Sequence, residues 1–367
     1  MSLDSSSHAV STTPPVSVAI LGFGTVGSAV ARRLAGGSVP GVFLTHVCDR
    51  RADEKQHRLP AEMPVTWTRD VGVILRSRVD VVVEAIGGLE PASDWIRDAL
   101  LSGKSVVTAN KQVVARDGHA LLGLAARQGR QLRFEAAVGG AMPIVRAIGD
   151  GLAGDRLRRI VAILNGTTNA VLSRMDATGC SLPAALADAK ARGLAEADPS
   201  LDLDGGDAAA KLAILSALAF GMRVDASRID TQSAREVTAA DITKARRRGR
   251  TIRQLAHAEY DDGRDELTAW VAPVCVPRES VFGRTVGPTN VAVVTGAYAG
   301  DVVIAGAGAG GDATAVAVIS DILAIARDRA AIVRAPVLSA PRAVRGLDAR
   351  AEISDFRLQI SDLEEAV

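Results

Sequence analysis

The feature that most constrains this chain is a glycine-rich turn that directly follows an apolar run near the N-terminus. The run covers residues 16–21, and the turn consists of Gly22, Phe23, Gly24, Thr25, Val26 and Gly27. In such a turn the first glycine permits the tight bend, the second lets a pyrophosphate approach the backbone, and the third allows close helix packing. A strand, this turn and a following helix predict a dinucleotide-binding unit with the phosphates at the helix N-terminus.

Short β-branched runs alternate with helical patterns up to about residue 138. We expect crossover helices at residues 25–35, 91–101 and 118–126, and strands at residues 16–21, 42–48, 79–86, 105–108 and 132–138. The run at 79–86 is almost continuously apolar, which is typical of parallel strands covered by helices on both faces. The pattern predicts an α/β fold whose first part is a Rossmann doubly wound parallel sheet.

After residue 139 the pattern becomes a mixture of helices and strands, which predicts a second, α+β domain. Helices are expected at 144–152, 182–191 and 207–220, and strands at 159–164, 267–275 and 291–294. A late glycine turn at 306–311 precedes an apolar helix at about 314–326, which we expect to return to the first domain. We divide the chain into a flexible arm (1–15), a Rossmann domain (16–139), a second domain (140–305), the returning segment (306–330) and a tail without assigned role (331–367).

Composition and charge exclude several classes of protein. Because 43 Lys and Arg balance 42 Asp and Glu, no basic excess favours nucleic acid or an anionic membrane as a partner. No apolar run reaches the roughly 18 residues that span a bilayer, and the first fifteen residues lack the features of a secretory signal. Cys48, Cys180 and Cys275 are far apart, which argues against a zinc site or a disulfide framework. We therefore expect a cytoplasmic protein.

The end of the second predicted strand carries signals for two dinucleotides. Asp49 follows Gly27 by 22 positions, where an acidic residue binds the ribose 2'-hydroxyl of NAD. Arg50 and Arg51 come next, and a guanidinium there can accommodate the 2'-phosphate of NADP instead. The spacing leaves both cofactors open.

Two other segments carry charged residues at informative places. Lys111 ends the run Thr-Ala-Asn-Lys at 108–111, at the carboxyl edge of a predicted strand, where open sheets bind their ligands. Asp207 and Lys211 lie four residues apart at the start of an apolar helix, so they share a helix face and a buried lysine gains a partner. The segment lacks the glycine and the terminal glutamate of a calcium loop, which argues against calcium binding. An ordinary ion pair without a functional role remains the alternative.

Taken in order, these motifs resemble the homoserine dehydrogenases, which interconvert L-homoserine and L-aspartate 4-semialdehyde with a nicotinamide cofactor. The resemblance covers most of the chain. It rests on the turns at 22–27 and 306–311, TANK at 108–111, EAAVGGAMP at 135–143, NGTTN at 165–169, GLAEADP at 193–199 and DLDGGDAAAKL at 202–212.

The resemblance implies a role for individual residues. Lys211 matches the proton donor to the carbonyl oxygen, and Lys111 matches a lysine beside substrate and cofactor. The acidic residues that match those holding the amino acid are Glu196, Asp207 and Asp202. A loop that binds a monovalent cation, usually sodium, largely through backbone carbonyl oxygens is matched by Glu135, Val138, Gly140 and Met142. Further expected cofactor contacts are Asp49, Arg50, Ile86, Gly87, Lys111, Gly193 and Gly311.

The resemblance also implies a homodimer formed through the second domain. It further implies a role in the biosynthesis of threonine, methionine and isoleucine. Ala313 stands where the family commonly has a proline before the helix threonine. Because only 41 residues follow residue 326, we expect a short form without a C-terminal threonine-sensing domain. Two alternatives stay open: a related dehydrogenase of another amino or hydroxy acid, and a non-enzymatic NAD(P)-sensing dimer.

Overall fold

The computed structural model describes residues 15–37, 39–328 and 343–345. The predicted arm, apart from residue 15, and the predicted tail, apart from residues 343–345, lie outside the described residues. The strands are β1 (Val16–Leu21), β2 (Val42–Cys48), β3 (Thr66–Thr68), β4 (Val81–Glu84), β5 (Ser105–Thr108), β6 (Leu132–Arg133), β7 (Leu157–Ile163), β8 (Asp230–Thr231), β9 (Arg250–Asp261), β10 (Glu266–Pro277), β11 (Thr289–Gly296), β12 (Gly300–Ala307) and β13 (Ala343–Arg345).

The helices occupy both domains and the connection between them. They are α1 (Thr25–Ala35), α2 (Ala52–Lys55), α3 (Val71–Arg76), α4 (Ala92–Leu101), α5 (Lys111–Arg127), α6 (Glu135–Val138), α7 (Ile144–Arg146), α8 (Gly166–Thr178), α9 (Leu182–Ala191), α10 (Ser200–Leu203), α11 (Gly206–Phe220), α12 (Ala239–Arg247), α13 (Val281–Arg284) and α14 (Gly311–Arg327). Among the described residues, no helix has the length and apolarity needed to cross a bilayer.

The first domain is built on a six-stranded sheet in the order β3-β2-β1-β4-β5-β6, and all its pairs are parallel. This confirms the doubly wound sheet. Helices α3, α4 and α5 cover one face, and α1 and the late helix α14 cover the other. The strand order reverses between β1 and β4, so a crevice opens at the carboxyl ends of these strands, where such sheets bind ligands.

The second domain is built on a mixed sheet in the order β12-β11-β7-β9-β10-β13, with β8 also paired to β10. The long strands β9 and β10 pair antiparallel over their whole length, from Arg250 opposite Pro277 to Asp261 opposite Glu266. Helix α11 packs on this sheet, and the largest hydrophobic core runs from the first sheet through α11 into the second. This shared core fixes α11 against the carboxyl edge of the first domain.

Several predicted elements differ from the structure. The strand expected at 132–138 ends at Arg133, and α6 follows, because a short buried apolar run has no periodicity that separates strand from helix. The helix expected at 144–152 divides into α7 and a π-helical turn at 147–151. The late glycine turn is shorter than the predicted 306–311, because Gly306 belongs to β12 and Gly311 is the first residue of α14. Strands β9 and β12 and helices α8 and α12 were not predicted.

Candidate active site

One buried carboxylate joins two lysines at the junction of the domains. Lys111 is the first residue of α5, and its Nζ lies 2.9 Å from Oδ1 of Asp207. Lys211 lies one turn after Asp207 on α11, and its Nζ lies 2.9 Å from Oδ2 of the same carboxylate. The side chains of Asp207 and Lys211 are 7% and 10% exposed, whereas that of Lys111 is 36% exposed. The structure therefore shows the expected Asp207–Lys211 pair and adds Lys111 to it.

The charges in this cluster support each other. Burial by itself raises the pKa of the Asp207 carboxyl, but Lys211 and Lys111 outweigh burial and hold this pKa well below its usual range. Burial lowers the pKa of the Lys111 ammonium, yet the nearby carboxylates, led by Asp207, raise it above the ordinary value. Asp207 is therefore ionised and Lys111 protonated at neutral pH, so the site presents fixed charges to a ligand.

Asn165 orients the acidic residues of the cluster. Its Nδ2 donates to Oδ1 of Asp202 at 2.7 Å and to Oδ2 of Asp207 at 2.9 Å. Its Oδ1 accepts from the backbone N–H of Thr168 at 2.8 Å, so the same side chain caps α8. The cap fixes the plane of the amide and therefore the places of both carboxylates. Asn165 has no assigned role in the sequence analysis, although an asparagine before a helix is a recognisable cap signal.

A second asparagine connects Lys211 to the late glycine turn. Lys211 Nζ and Asn290 Nδ2 both donate to the carbonyl oxygen of Leu164, at 2.8 and 3.0 Å. The Asn290 amide fills the place of a missing side chain on Gly308, where a Cβ would lie 2.1 Å from Nδ2. The turn before α14 therefore packs on Asn290, which shares its hydrogen-bond acceptor with Lys211.

The first glycine turn closes the carboxyl end of β1. Gly22 has a φ of +92°, and its N–H donates to the carbonyl oxygen of Cys48 at 2.8 Å. A Cβ on Gly22 would lie 2.7 Å from the Ala85 oxygen, and one on Gly27 would lie 1.9 Å from the Gly22 oxygen. A Cβ on Gly24 would meet nothing within 4 Å. The first and third glycines are thus required by the fold, while the space at the second stays open for a ligand.

This difference predicts unequal effects of two alanine substitutions. Gly27→Ala forces the backbone of the turn apart, so we expect a loss of about 1–3 kcal/mol in the free energy of unfolding. Gly24→Ala adds a methyl group to open space, and we expect a change below about 1 kcal/mol. Urea denaturation of both variants measures the two changes. Equal losses would contradict the geometry of the turn.

The loop after β4 is held by a buried acid that the sequence analysis missed. Glu84 is fully buried, and its Oε1 accepts from the N–H groups of Ile86 at 2.9 Å and Gly87 at 3.2 Å. Its Oε2 accepts from the hydroxyl of Thr108. A glutamate that ends a continuously apolar strand is the sequence signal for this role. Ile86 lies against Gly22, so the predicted contacts Ile86 and Gly87 border the crevice.

The late glycine turn joins two of the predicted sites. A Cβ on Gly311 would lie 3.1 Å from Cγ2 of Thr25, so the N-termini of α1 and α14 meet at the crevice. On its other side, a Cβ on Gly140 would lie 2.6 Å from the Gly308 backbone. The N–H of Ala141 donates to the oxygen of Ala307 at 2.8 Å. The predicted cofactor contacts and the predicted cation loop are therefore neighbours.

In the predicted cation loop, the Glu135 side chain has a structural task. Its two oxygens accept from the N–H groups of Val145 at 3.0 Å and Arg146 at 2.9 Å, which caps α7. The N–H of Glu135 donates to Oδ2 of the buried Asp321 at 3.0 Å. Burial raises the pKa of Glu135 to about 7, although the two N–H groups oppose it. The backbone carbonyls of Glu135 and Met142 accept from the N–H groups of Gly139 at 3.0 Å and Ile144 at 2.8 Å. The cation contacts of Glu135, Val138, Gly140 and Met142 stay predictions.

Three predicted site residues make no hydrogen bond to the lysine cluster in the described structure. Asp49 is covered, and its carboxylate accepts hydrogen bonds from Phe23, Arg51 and Lys55. Glu196 is exposed on the loop between α9 and α10, and its charge raises the pKa of Lys111 without a hydrogen bond to it in the described structure. Gly193 follows the end of α9 by two residues, and its N–H donates to the Lys190 oxygen. The ligand contacts of Glu196 and Gly193 stay predictions.

Comparisons with known proteins agree across both domains. A family model for homoserine dehydrogenase matches residues 143–323, and one for the homoserine dehydrogenase NAD binding domain matches residues 22–135. The homoserine dehydrogenase of Mycobacterium tuberculosis (strain ATCC 25618 / H37Rv) is 40% identical over 332 residues, which are 88% of this chain and 75% of that protein. That of a Synechocystis species is 40% identical over 84% of this chain and 73% of its own length.

Solved structures give the same result. A homoserine dehydrogenase from Thiobacillus denitrificans has a TM-score of 0.83 and 32% sequence identity, and the match covers 91% of this chain and 80% of that one. A homoserine dehydrogenase from S. aureus has a TM-score of 0.75 at 32% identity, covering 89% of this chain and 79% of that one. Because fold, sequence and both family models agree over most of its length, the chain belongs to the homoserine dehydrogenases, a family of NAD(P)-dependent oxidoreductases.

Proposed function

We propose that the cluster of Lys111, Asp207 and Lys211 performs the oxidoreductase chemistry of this chain, with Lys211 as the proton donor to the substrate carbonyl. The observation that carries the proposal is one buried carboxylate with two ammonium groups at 2.9 Å, beside the crevice of the first sheet. A lysine held in a single place by a carboxylate and a carbonyl oxygen suits a proton transfer, which requires fixed geometry.

Reduction of L-aspartate 4-semialdehyde places a negative charge on the aldehyde oxygen. A bound nicotinamide cofactor supplies the hydride for this reaction. Lys211 donates one N–H to Asp207 and one to Leu164, which leaves a third N–H to meet the developing charge. Asp207 holds this ammonium in place, and Lys111 gives the site a second positive charge. In the reverse direction Lys211 accepts the hydroxyl proton of L-homoserine.

The acidic residues offer a place for the amino group of the substrate. Asp202 uses Oδ1 to accept from Asn165, and no described residue bonds its Oδ2. Burial raises the pKa of this carboxyl, and a substrate ammonium beside it would favour the ionised form. We propose that Asp202 and the exposed Glu196 bind that ammonium, while Asp207 acts mainly through the lysines.

The crevice of the first domain fits a nicotinamide dinucleotide. The open space at Gly24 and the helix N-terminus of α1 suit a pyrophosphate. We propose further contacts at Ile86, Gly87, Gly193 and Gly311, and at Arg50 near the adenosine ribose, with Asp49 beside Arg50 at the end of β2. A hyperthermophilic archaeal homoserine dehydrogenase with 27% identity and a TM-score of 0.71 was solved in complex with NADPH, which supports this cofactor class.

We propose, as the resemblance implies, that the loop from Glu135 to Met142 binds a sodium ion through carbonyl oxygens. The Met142 carbonyl turns back onto Gly139, where a Cβ would lie 1.9 Å from its oxygen. Glu135 and Asp321 are both buried, and the guanidinium of Arg146 lies 3.5 Å from Asp321. Its charge also lowers the pKa of Glu135. A monovalent cation would offset the remaining charge. The backbone carbonyls of Glu135, Val138, Gly140 and Met142 would hold it and would keep the loop packed on the late glycine turn.

The finer biological setting is also a proposal. We infer a cytoplasmic enzyme from the widely spaced cysteines, and a role in the biosynthesis of threonine, methionine and isoleucine as the resemblance implies. We further infer a homodimer formed through the second domain. Strand β12 supports this inference, because it lies at the edge of its sheet in the described structure and its Val303 is 52% exposed.

The test of the activity is the absorbance at 340 nm when L-homoserine is added to the purified protein with NAD or NADP. We expect a rise that depends on L-homoserine and is absent with L-malate or L-aspartate. The reverse assay with L-aspartate 4-semialdehyde and reduced cofactor should show a matching fall. A folded protein that binds the reduced cofactor but oxidises only another amino or hydroxy acid would contradict the proposed substrate.

A further inference from the structure

The Asp49 carboxylate, which could bind the adenosine ribose, already accepts hydrogen bonds from protein groups. Asp49 Oδ2 accepts from the Phe23 N–H at 2.8 Å and from Lys55 Nζ at 2.7 Å. Oδ1 accepts from the Arg51 N–H at 2.8 Å. The side chain of Asp49 is 10% exposed. A ribose 2'-hydroxyl that needs this carboxylate as its acceptor would have to displace one of these groups.

Lys55 is the unusual member of this arrangement. It ends the short helix α2, is 6% exposed, and also donates to the Phe23 carbonyl oxygen at 3.0 Å. A buried ammonium requires a counter-charge, and Asp49 is the carboxylate that meets it. Lys55 therefore neutralises Asp49 and ties it to the glycine turn.

Two guanidinium groups remain beside this neutral pair. Arg50 and Arg51 directly follow Asp49 and are exposed, and neither side chain pairs with another described residue. The nearby Asp53 of α2 is paired with Arg69. Once Lys55 has neutralised Asp49, the end of β2 presents positive charge to a ligand. A dianionic phosphate on the ribose is the group that suits such a place.

We propose that Lys55 is a specificity residue: by holding Asp49 in a closed ion pair, it makes the end of β2 a site for the 2'-phosphate of NADP(H). Arg50 and Arg51 bind that phosphate. Lys55 acts through Asp49 and does not touch the cofactor ribose. This inference rests on the proposed cofactor crevice and adds the choice between its two dinucleotides.

The test measures dissociation constants for NADPH and NADH from nicotinamide fluorescence, with competition by adenosine 2',5'-bisphosphate and by AMP. For the native chain we expect NADPH to bind at least about tenfold tighter, since hydrogen bonds to a charged group change affinity by at least about that order. In Lys55→Met the charge of Asp49 is no longer neutralised, and we expect the NADPH preference to fall about tenfold or more.

Two further variants separate the proposed effect from damage to the fold. Lys55→Met combined with Asp49→Asn removes both charges, so we expect the NADPH preference to return even if Lys55→Met alone folds poorly. Arg58→Ala removes an exposed guanidinium from the same segment and should leave the ratio of the two affinities within about twofold.

The outcomes are distinguishable. Tighter binding of NADH by the native chain, or a preference for AMP over the bisphosphate, would overturn the role of Lys55 while the cofactor crevice remains. An NADPH preference that stays unchanged in folded Lys55→Met, or that the double variant fails to restore, would also overturn it. Binding of neither dinucleotide by the folded native chain would refute the proposed crevice itself.

Discussion

Replacement of Lys211 with methionine is expected to lower kcat by about 10²–10⁴, the range that a positioned proton donor contributes. Methionine keeps the length of the side chain in its buried surroundings and removes the ammonium group that would meet the charge on the aldehyde oxygen. Asp207 retains Lys111 as a partner, so the fold should persist. Steady-state kinetics in both directions measure the change, and circular dichroism and NADPH binding show whether the variant is intact.

Lys244 offers the matched control for this experiment. It is exposed on α12, away from the cluster, and Lys244→Met should leave kcat within about twofold. If Lys211→Met kept more than about a tenth of the native kcat, Lys211 would not be the proton donor. Lys111 would then be the remaining lysine at Asp207 to examine.

Asp207→Asn is expected to affect both activity and stability, because Asp207 is the partner of two ammonium groups. Removal of one member of a buried ion pair leaves an uncompensated charge and costs about 3–5 kcal/mol. We expect a loss of that order in the free energy of unfolding at neutral pH, together with loss of turnover as both lysines lose their common anchor. Urea denaturation and steady-state kinetics measure the two effects.

The pH dependence of this loss has a definite sign. The pKa of Asp207 lies below its usual value of 3.8 in the folded protein, so its stabilising contribution is fully present above about pH 4. The difference in stability between native chain and Asp207→Asn should shrink as the pH falls further. Asp204→Asn is the matched control, since its ion pair with Arg235 is half exposed and should cost less than about 1 kcal/mol. Equal losses of unfolding free energy in the two variants would contradict the stabilising role of the buried ion pairs of Asp207.

The sequence predicts the first domain better than the second for a physical reason. Parallel strands that are buried on both faces, such as β4, leave a continuous apolar run that few other elements produce. Strand β9 carries Arg253 and His257, both buried, among its apolar residues, so its pattern does not resemble a strand. Its place depends on pairing with β10 and on buried polar contacts, which the local sequence does not contain.

The candidate site shows the same limit. The positions of Lys111, Asp207 and Lys211 follow from motifs, and the spacing of four residues predicts the pair on α11. The contact between Lys111 and Asp207 joins residues 96 positions apart and exists only because α5 and α11 pack in one core. Lys55 carries no signal of its own, because a lysine on a short helix is usually exposed.

The place of α14 has a consequence for how the chain is made. This helix covers one face of the first sheet, against β1, β4 and β5, yet it begins 178 residues after the last strand of that sheet. At the usual rate of about 5–20 residues per second, a ribosome needs roughly 9–36 s to synthesise that stretch. During this time we expect the nascent first domain to expose the apolar sheet face that α14 later covers, because α1 covers only part of that face. The cofactor crevice is therefore completed late in synthesis, and a chain truncated before Gly311 would leave the ribosome with that surface open.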